Sequence, residues 1–499
     1  MLGFEIFKGS IGIFAVAVVI VSSCATNPVT GQREFVMISE AQEISIGHET
    51  NIEILQDMGV YKDATLQEYV ESIGYALADL SHRPNLPWKF NIIDSPAINA
   101  FALPGGYIYL TRGIMAYLGD EAELAGVLGH EIGHVTARHS VQAYTRAYGA
   151  ELGVMLGQIF VPQMRTNPYG VPSLGDTLGA GLGLLFLKFS RNDEVQADRL
   201  GAEYALNGGW NPEGVSGMLS TLARVNEASD RNGAPNWLST HPEPVDRVIE
   251  LRSTIDKLLK IVNPTSLRVE RSNYLNRIEG LQFGDNPEDG IVRGNEFLHP
   301  NLRIALNFPK GWSIQNNDTT VLAKWPDQEL YMLLQLAEDR RGVDLQEIAQ
   351  VNMRNAGYLH RSGQRMQING LTAYLGTYSG RDSEIGEITA LVAHIRHNRS
   401  LYAFGAIGPV GGMFQIEREV NQSIRSFRPL TRQEADLILP NEIALYTAQH
   451  GDTWEEIAKL GGEDIVEATT LAIINDYSVN EQPKSGDRLK IVVVGNTKP

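Results

Sequence analysis

The stretch Gly129-His130-Glu131-Ile132-Gly133-His134 decides the local fold, because it places two histidines four residues apart in a run with helical periodicity. Residues at positions i and i+4 share one face of an α-helix, so His130 and His134 can bind the same metal ion. Glu131 lies one step around that face, where its carboxylate suits a general base for a water at the metal. The motif therefore predicts a zinc-binding helix.

The residues before the motif predict where this helix begins. Asp120 is a suitable N-cap, and Glu123 stands at the capping-box position three residues later. Apolar residues then recur at helical spacing and predict a buried stripe: Leu124, Val127, Leu128, Ile132 and Val135. The alternative interpretation is a core helix that carries two histidines without a metal.

A second helix supplies the acidic residues that such a site needs. Ser190 or Asn192 can cap it, and it runs to Leu206, before a pair of glycines. Glu194 and Asp198 are four residues apart and share a face of this helix. Packed against the first helix, Glu194 can be the third zinc ligand while Asp198 accepts the N–H of a ligating histidine.

Length and composition limit the possible functions. The 499 residues suggest about three domains. The formal net charge of −17 argues against nucleic acid as a partner, because binding to phosphate requires a concentrated basic surface. The single cysteine excludes an intrachain disulfide.

The N-terminus has the pattern of a secretory signal. Lys8 precedes an apolar run from Ile11 to Val21, and Val21-Ser22-Ser23-Cys24 resembles a bacterial lipobox. We therefore expect residues 1–23 to be a lipoprotein signal peptide, with Cys24 as the lipidation site. Ala25 favours anchoring to the outer membrane on the periplasmic side. The alternative is a simple signal anchor with an incidental cysteine.

Between the signal and the motif, helices are predicted over Ser39–Met58 and Thr65–Leu80. Trp88–Asp94 alternates as a strand, and Asn99–Leu110 is typical of strand, tight turn and strand. An exposed edge there can pair with an extended peptide. The candidate substrate-binding residues are Asn99, Ala100, Phe101 and Ala102.

Two apolar stretches follow the metal motif, Ala147–Val161 and Leu178–Phe189. Neither reaches the ~20 residues that a membrane-spanning helix requires. They could form a flap or a lipid-facing hairpin over the active site, or they could be buried helices of the catalytic domain.

The ordered motifs resemble the zinc metallopeptidase family of the CAAX prenyl endopeptidases and HtpX (metallopeptidase family 48). Four segments carry the resemblance: Asn99–Leu110, Gly129–Ala137, Asn192–Gly201 and Ser239–Arg247. The periplasmic lipoprotein branch with the beta-barrel assembly-enhancing proteases is the most similar. Relatives of that branch continue into helical repeats, whereas no 34-residue helical period follows here.

The resemblance implies one zinc ion per chain, held by His130, His134 and Glu194. It implies that Glu131 is the catalytic base and that Asp198 supports a ligand. His241 corresponds to a histidine that can approach the metal as a regulatory ligand. Arg247 falls where the family places an arginine near the substrate or the developing oxyanion. From the residues alone, a lone histidine before a proline is more often a helix-entry residue, and only the resemblance favours His241 as a regulatory ligand.

The chain after residue 263 has a different pattern. Strands are predicted over Leu302–Phe308, Thr319–Trp325, Leu330–Glu338, Leu371–Ser379 and Glu387–Gly405. Helices are predicted over Leu345–Ala356 and Gly412–Phe427. This predicts an antiparallel α+β domain, similar to the PsbP or Mog1 type, with a binding or docking role and no catalysis.

The last segment resembles a LysM module of βααβ form. The similarity lies in Tyr446–Ala458, Leu471–Asn475 and Ser485–Ile491. LysM modules bind N-acetylglucosamine polymers, so the resemblance implies peptidoglycan as a ligand. The alternative is a small fold retained for protein contacts.

These observations predict a multidomain α+β protein. Its parts are a signal peptide at 1–23, a mainly helical gluzincin-type metallopeptidase domain with a small sheet at 24–262, an α+β domain at 263–432 and a LysM domain at 441–495. We expect a periplasmic zinc metalloendopeptidase, lipid-anchored to the outer membrane, that acts on unfolded, misfolded or misassembled envelope proteins. The alternative is a lipid-anchored, peptidoglycan-binding scaffold or assembly factor whose metal site is latched and largely silent. An intramembrane prenyl protease is disfavoured, because no stretch of the chain is predicted to span a bilayer.

Overall fold

The structure, a computed structural model, describes residues 24–146, 188–229, 237, 241, 244–317, 319–326, 328–340, 342–382, 386–462 and 465–495. The predicted signal peptide and the apolar stretches, except for Lys188 and Phe189, lie outside these residues. No helix within the described ranges has the length and apolarity that crossing a membrane demands.

Internal contacts divide the chain into two compact units. The first comprises Met1–Leu281, Leu445–Trp454 and Ala468–Lys490. The second comprises Gln282–Ala444, Glu455–Glu467 and Ile491–Pro499. The predicted domain boundaries stay predictions, but this division already assigns part of the C-terminal segment to the same unit as the zinc motif.

The first unit is mainly helical. Two of its helices carry the predicted site: the metal helix, Glu121–Thr136, and the carboxylate helix, Arg191–Asn207. The others lie at Glu40–Asp57, Ala64–Ala78, Arg112–Tyr117, Glu213–Ser229, Pro244–Leu259, Arg271–Ile278 and Ala468–Ile474, with a 3₁₀ turn at Pro264–Ser266. Its strands are β1 (Cys24–Thr26), β2 (Arg33–Phe35), β3 (Lys89–Ile93), β4 (Ala100–Leu103) and β5 (Tyr107–Thr111).

A three-stranded sheet leads the chain into the metal helix. Its order is β3-β5-β4, with β3 parallel and β4 antiparallel to the central strand β5. All five residues of β5 are buried, so the sheet is fixed in the core. Gly105 and Gly106 make the turn between β4 and β5 at φ of 83° and 103°, a backbone that glycine adopts without strain. The predicted strand, tight turn and strand are therefore present.

A buried ion cluster holds the C-terminal end of the metal helix. Glu43, on the helix Glu40–Asp57, accepts hydrogen bonds from Arg83 at 2.7 Å and from Arg138 at 3.0 Å. Arg83 also donates to the carbonyl of Val135, in the last turn of the metal helix, at 3.0 Å. All three charged side chains are buried, so each charge requires its partner.

The second unit is an antiparallel α+β structure. Its strands are β6 (Gln282–Phe283), β7 (Ile291–Arg293), β8 (Glu296–His299), β9 (Ile304–Asn307), β10 (Ser313–Asn317), β11 (Thr320–Lys324), β12 (Tyr331–Ala337), β13 (Leu359–Ile368), β14 (Leu371–Asp382), β15 (Gly386–His397), β16 (Ser400–Pro409) and β17 (Arg428–Pro429). Its helices are Leu345–Asn355, Val410–Ser426 and Arg432–Asp436.

Two sheets organise this unit, with orders β10-β11-β12-β16-β15-β14-β13 and β17-β9-β8-β7. The helix Val410–Ser426 packs its apolar residues into the main core between the sheets. The helix Leu345–Asn355 packs against a separate cluster that includes Tyr374 and Leu401. The predicted class, an antiparallel sheet backed by helices, is therefore confirmed.

One strand prediction was wrong in this unit. Glu387–Gly405 was expected to be a single strand, but it is a hairpin of β15 and β16 with ten paired positions. Asn398 turns the chain at φ of 54°, a left-handed conformation that asparagine tolerates in two-residue hairpin turns. The strand β13 was missed because nearly all its side chains are exposed, so it lacks an apolar pattern.

The C-terminal segment has the predicted element order. A strand, β18 (Asn441–Thr447), is followed by helices at Trp454–Leu460 and Ala468–Ile474 and by a strand, β19 (Arg488–Val494). A sheet with the order β19-β18-β6 contains both strands. The identification as LysM stays a prediction.

Candidate metal centre and active site

The metal helix begins as its sequence predicts, except for one contact. The Asp120 side chain accepts a hydrogen bond from the amide of Glu123 at 2.9 Å, which is the expected N-cap. The Glu123 carboxylate does not return to the amide of Asp120, as a capping box requires. It accepts from the amide of Gly119 at 2.7 Å instead. Every residue of the helix is buried.

Small residues allow the metal helix and the carboxylate helix to approach closely. A Cβ at Gly129 would lie 3.0 Å from the carbonyl oxygen of Gly201, and one at Gly133 would lie 3.1 Å from that of Ala197. A Cβ at Gly201 would lie 2.9 Å from the amide nitrogen of His130. The backbones are therefore in near contact beside the motif, so short acidic side chains on one helix reach the histidines of the other.

The structure brings four predicted metal-binding side chains together: His130, His134, Glu194 and His241. Their ligand atoms all lie within 4.8 Å of one another. The Nε2 atoms of His130 and His134 are 3.0 Å apart, and Glu194 Oε1 is 3.5 Å from the Nε2 of His134. His241 Nδ1 lies 2.9 Å from the same Glu194 oxygen.

The donor set fits zinc. Two imidazoles and one carboxylate converge in a site where each side chain is at most 1% exposed. Burial, with the neighbouring imidazoles, lowers the pKa of His134, so this ring is the neutral ligand that a metal requires. Both carboxylate oxygens of Glu131 are buried beside this group without a hydrogen-bond partner in the described part of the chain. A buried carboxylate without a partner indicates a role in binding a water molecule rather than a role in stabilising the fold.

Asp198 and Arg247 form a layer behind the metal-binding side chains. Asp198 Oδ1 lies 2.9 Å from the Nδ1 of His130, as expected for a residue that orients a ligating histidine. Arg247 donates two hydrogen bonds to Asp198, at 2.8 and 2.6 Å, and lies 2.6 Å from Glu194 Oε2. Burial would raise the pKa of Asp198, but Arg247 outweighs it and lowers the pKa to about 2. Asp198 is therefore an anion throughout the physiological range.

This placement gives Arg247 a contact that the family resemblance does not imply. Its guanidinium was expected near the substrate or the oxyanion, and that role stays a prediction. The structure shows its donors on the two carboxylates of the carboxylate helix, Asp198 and Glu194. In this arrangement Arg247 is a positioning residue, because it acts through side chains that themselves face the metal site.

The sequence reasoning missed His139. Its Nδ1 lies 3.0 Å from the Nδ1 of His134, and its Nε2 lies 3.1 Å from Gln196 Oε1. An amide oxygen accepts from an N–H, so Gln196 fixes the proton on Nε2 and leaves Nδ1 to accept from His134. Spacing could not reveal this, because the chain leaves the helix before His139 through Arg138 at φ of 61°.

Aromatic rings enclose the histidines. Phe189 stacks on His134 with ring centroids 4.1 Å apart. Trp237 stacks on His241 at 4.7 Å, and the Arg247 guanidinium lies over the same indole at 5.1 Å. His241 is therefore held between an indole and Glu194, in the position that the predicted regulatory ligand requires.

The predicted substrate strand lies at the edge of its sheet among the described strands. In β4, Ala100 and Leu103 are buried, whereas Phe101 and Ala102 are half-buried. Phe101 stacks on Tyr109 at 4.7 Å, which fixes its ring. Asn99 is tied to Thr111 through its backbone, at 3.1 Å. The binding of substrate by these four residues stays a prediction.

Residues 64–255 match the family model described as Peptidase family M48, and this range contains the whole buried cluster. Residues 64–255 therefore form an M48 peptidase domain. The M48 domain is a metallopeptidase domain, and its cofactor is zinc. The recognition of the family from four ordered motifs is therefore confirmed.

Curated relatives also match part of the chain. The beta-barrel assembly-enhancing protease of Escherichia coli (strain K12) is 29% identical over 254 residues, 50% of this chain and 51% of that protein. The same-named protein of Yersinia pestis is 30% identical over 44% of this chain and 45% of its own. Mitochondrial metalloendopeptidase OMA1 of Arabidopsis thaliana is 31% identical over 37% of this chain and 35% of its own. The chain spans about half the length of the first of these relatives.

Solved structures match the chain weakly. PsbP (CyanoP) from Synechocystis sp. PCC 6803 has a TM-score of 0.22 at 13% identity, covering 29% of this chain and 98% of that chain. LpqN of Mycobacterium tuberculosis has a TM-score of 0.21 at 12% identity, covering 26% and 83%. Scores this low carry no argument, and the PsbP or Mog1 type stays a prediction.

The close contact between the metal helix and the carboxylate helix can be tested by mutation. Gly201→Ala should force the carboxylate helix away from the metal helix, because the new Cβ would meet the His130 backbone. Overpacking of this kind costs about 1–3 kcal/mol. We expect lower zinc affinity in competition with a chelator and a lower melting temperature. Gly411→Ala is the matched control, since a Cβ there meets open space in a helix. Equal behaviour of the two variants would contradict the close-contact argument.

The contact between His139 and His134 can also be tested by mutation. His139→Ala should weaken zinc binding by about 10- to 100-fold, the usual effect of removing a partner that orients a ligand. The measurement is zinc affinity by chelator competition, with circular dichroism to confirm the fold. His450→Ala, at an exposed position, is the control. A His139 variant that binds zinc as tightly as the control would show that His134 needs no such partner.

Proposed function

We propose that this chain is a zinc endopeptidase of the periplasm that cleaves unfolded or misassembled envelope proteins. One observation carries the proposal. The buried ligand group of His130, His134 and Glu194 stands beside Glu131, whose two carboxylate oxygens have no hydrogen-bond partner among the described residues. This is the arrangement of a metal-assisted hydrolase, with a base placed next to the metal rather than on it.

The chain supplies the proton transfers. Zinc, when bound, polarises the scissile carbonyl and makes water more acidic. Glu131 takes the proton of the attacking water and passes it to the leaving amine. Burial raises the pKa of Glu131 to about 7, which suits a group that both accepts and releases a proton near neutral pH. Asp198 and Arg247 keep His130 and Glu194 in place during these steps.

The position of β4 at the edge of its sheet favours an unfolded protein as the substrate. A peptide can pair with β4 only if its own backbone is extended and free of other hydrogen bonds. Phe101 and Ala102, half-buried on this strand, would contact the substrate side chains. A folded protein rarely offers such a segment, whereas a misfolded one does. The relatives named beta-barrel assembly-enhancing proteases support envelope proteins as the class of substrate.

The sequence supports the proposed location and partners. The lipobox-like pattern before Cys24 supports a lipid anchor in the outer membrane, and the resemblance of residues 441–495 to LysM supports binding to peptidoglycan. Acyl chains and a glycan contact together would keep the peptidase near assembling outer-membrane proteins.

A second candidate is a scaffold whose metal centre is latched. The contact that favours it is His241 Nδ1 at 2.9 Å from Glu194 Oε1, because a fourth protein ligand would fill the position that a catalytic zinc keeps open. The two candidates share the lipid anchor and the glycan contact. They differ in whether the envelope needs hydrolysis by Glu131.

Glu131→Gln tests the proposed function. The amide keeps the shape of the side chain but cannot accept the proton, so cleavage of casein should fall by at least ~100-fold while zinc content is unchanged. Glu53→Gln, an exposed change of the same kind, should cleave normally. Full activity in the Glu131 variant would refute the proposal. An envelope-integrity assay that is indifferent to Glu131→Gln would support the scaffold.

His241→Ala tests the latch. The remaining three ligands should keep the zinc, and loss of a charge-assisted contact worth about 1.5–3 kcal/mol should open the fourth position. The fraction of open sites, and with it casein cleavage, should rise about 10- to 100-fold, since each 1.4 kcal/mol changes a population tenfold. Cleavage that is unchanged or lower, with zinc retained, would mean that His241 does not restrain the site.

A further inference from the structure

Lys490, near the C-terminus, is completely buried against the segment that begins the metal helix. Its Nζ donates to the carbonyl oxygens of Ala116 at 3.0 Å and Leu118 at 2.6 Å. The two residues lie at the end of the helix Arg112–Tyr117, where carbonyl groups carry the negative end of the helix dipole. A lysine 372 residues further along the chain therefore satisfies the last carbonyls before the metal helix.

The backbone of Lys490 is itself fixed by Asn475. The Asn475 Oδ1 accepts from the amide of Lys490 at 2.8 Å, and its Nδ2 donates to the carbonyl of Lys490 at 2.8 Å. Asn475 is 2% exposed and also donates to Leu471, within the helix Ala468–Ile474. The ammonium group is thus presented by a rigid element rather than by a mobile tail.

Asp476, which follows Asn475 in the chain, lies beside the same segment before the metal helix. It takes a left-handed backbone at φ of 67° and accepts from Thr221 and Arg224, each at 3.2 Å. Arg271 lies 3.3 Å from its other oxygen and also donates to the carbonyl of Gly119 at 2.8 Å. A Cβ at Gly119 would overlap the Asp476 carboxylate, so a larger residue there would displace Asp476.

Gly119 connects this cluster to the metal helix. Its amide donates to Glu123, and the next residue, Asp120, is the N-cap. Burial lowers the pKa of Lys490, while Asp476, Glu123 and Asp120 favour its charged form and Arg271 opposes it. Acidic groups therefore face the ammonium from the C-terminal segment and from the metal helix.

We propose that Lys490 and Asp476 are positioning residues of the peptidase, which anchor Ala116–Glu123 and thereby set the start of the metal helix. The segment Ala468–Lys490 is then a working part of the catalytic unit, in addition to the glycan contact proposed for residues 441–495. The proposal rests on the proposed function only for its effect on catalysis. The anchoring itself is a property of the fold.

Lys490→Met tests the anchor in the full chain with zinc. Methionine fills much the same space but leaves two buried carbonyls without a donor. Hydrogen–deuterium exchange of the amides over residues 119–124 should become roughly 10- to 100-fold faster, and zinc should be lost faster to a chelator. Lys484→Met, an exposed change in the same segment, should alter neither. Exchange and zinc loss equal to those of the control would overturn the proposal.

Asp476→Asn is a second test of the anchor, which applies even if the Lys490→Met variant does not fold. Asp476 is exposed and the amide has the same shape, so the fold should survive while the ion pairs with Arg224 and Arg271 are lost. We expect faster exchange over residues 119–124 and lower kcat with little change in KM. No change in exchange would refute the anchor. Glu131→Gln should leave exchange at normal rates, so a failure of the proposed function is distinguishable from a failure of the anchor.

Discussion

The close approach of the metal helix and the carboxylate helix is the constraint on which the site depends. Gly129 and Gly133 face Gly201 and Ala197, and a Cβ at any of these glycines would make a contact tighter than ordinary packing. A glutamate or aspartate side chain is short, so it reaches the imidazoles only at this separation. Helix packing at ordinary distances would leave Glu194 and Asp198 too far from the two histidines.

Buried charges bind the residues at both ends of the metal helix. Glu43 binds Arg83 and Arg138 at the C-terminal end. Lys490 donates to the carbonyl of Leu118, just before the N-terminal end. Such groups add little net stability, because removing them from water is costly. They add orientation instead, since each has one set of partners and a displaced partner would leave a buried charge alone. A catalytic metal site needs that precision more than it needs stability.

Chemistry and access are controlled by different residues. The carboxylate oxygens of Glu131 lie beside the ligand group with no hydrogen-bond partner among the residues that the structure describes. His241, stacked on Trp237 and in contact with Glu194, is the fourth member of the buried ligand group. It is the residue through which the proposed scaffold would restrain the site.

The sequence by itself determined what depends on local spacing. The i, i+4 pairs His130–His134 and Glu194–Asp198, the N-caps and the tight turn at Gly105 follow from helix and turn geometry, which a few neighbouring residues specify. Only the tertiary structure decided what depends on distant contacts. His139 reaches His134 through a left-handed turn, Arg247 binds the carboxylates, the strand expected at 387–405 folds into a hairpin, and Lys490 supports a helix 372 residues away. These contacts join residues that no periodicity relates, because packing rather than local backbone preference brings them together.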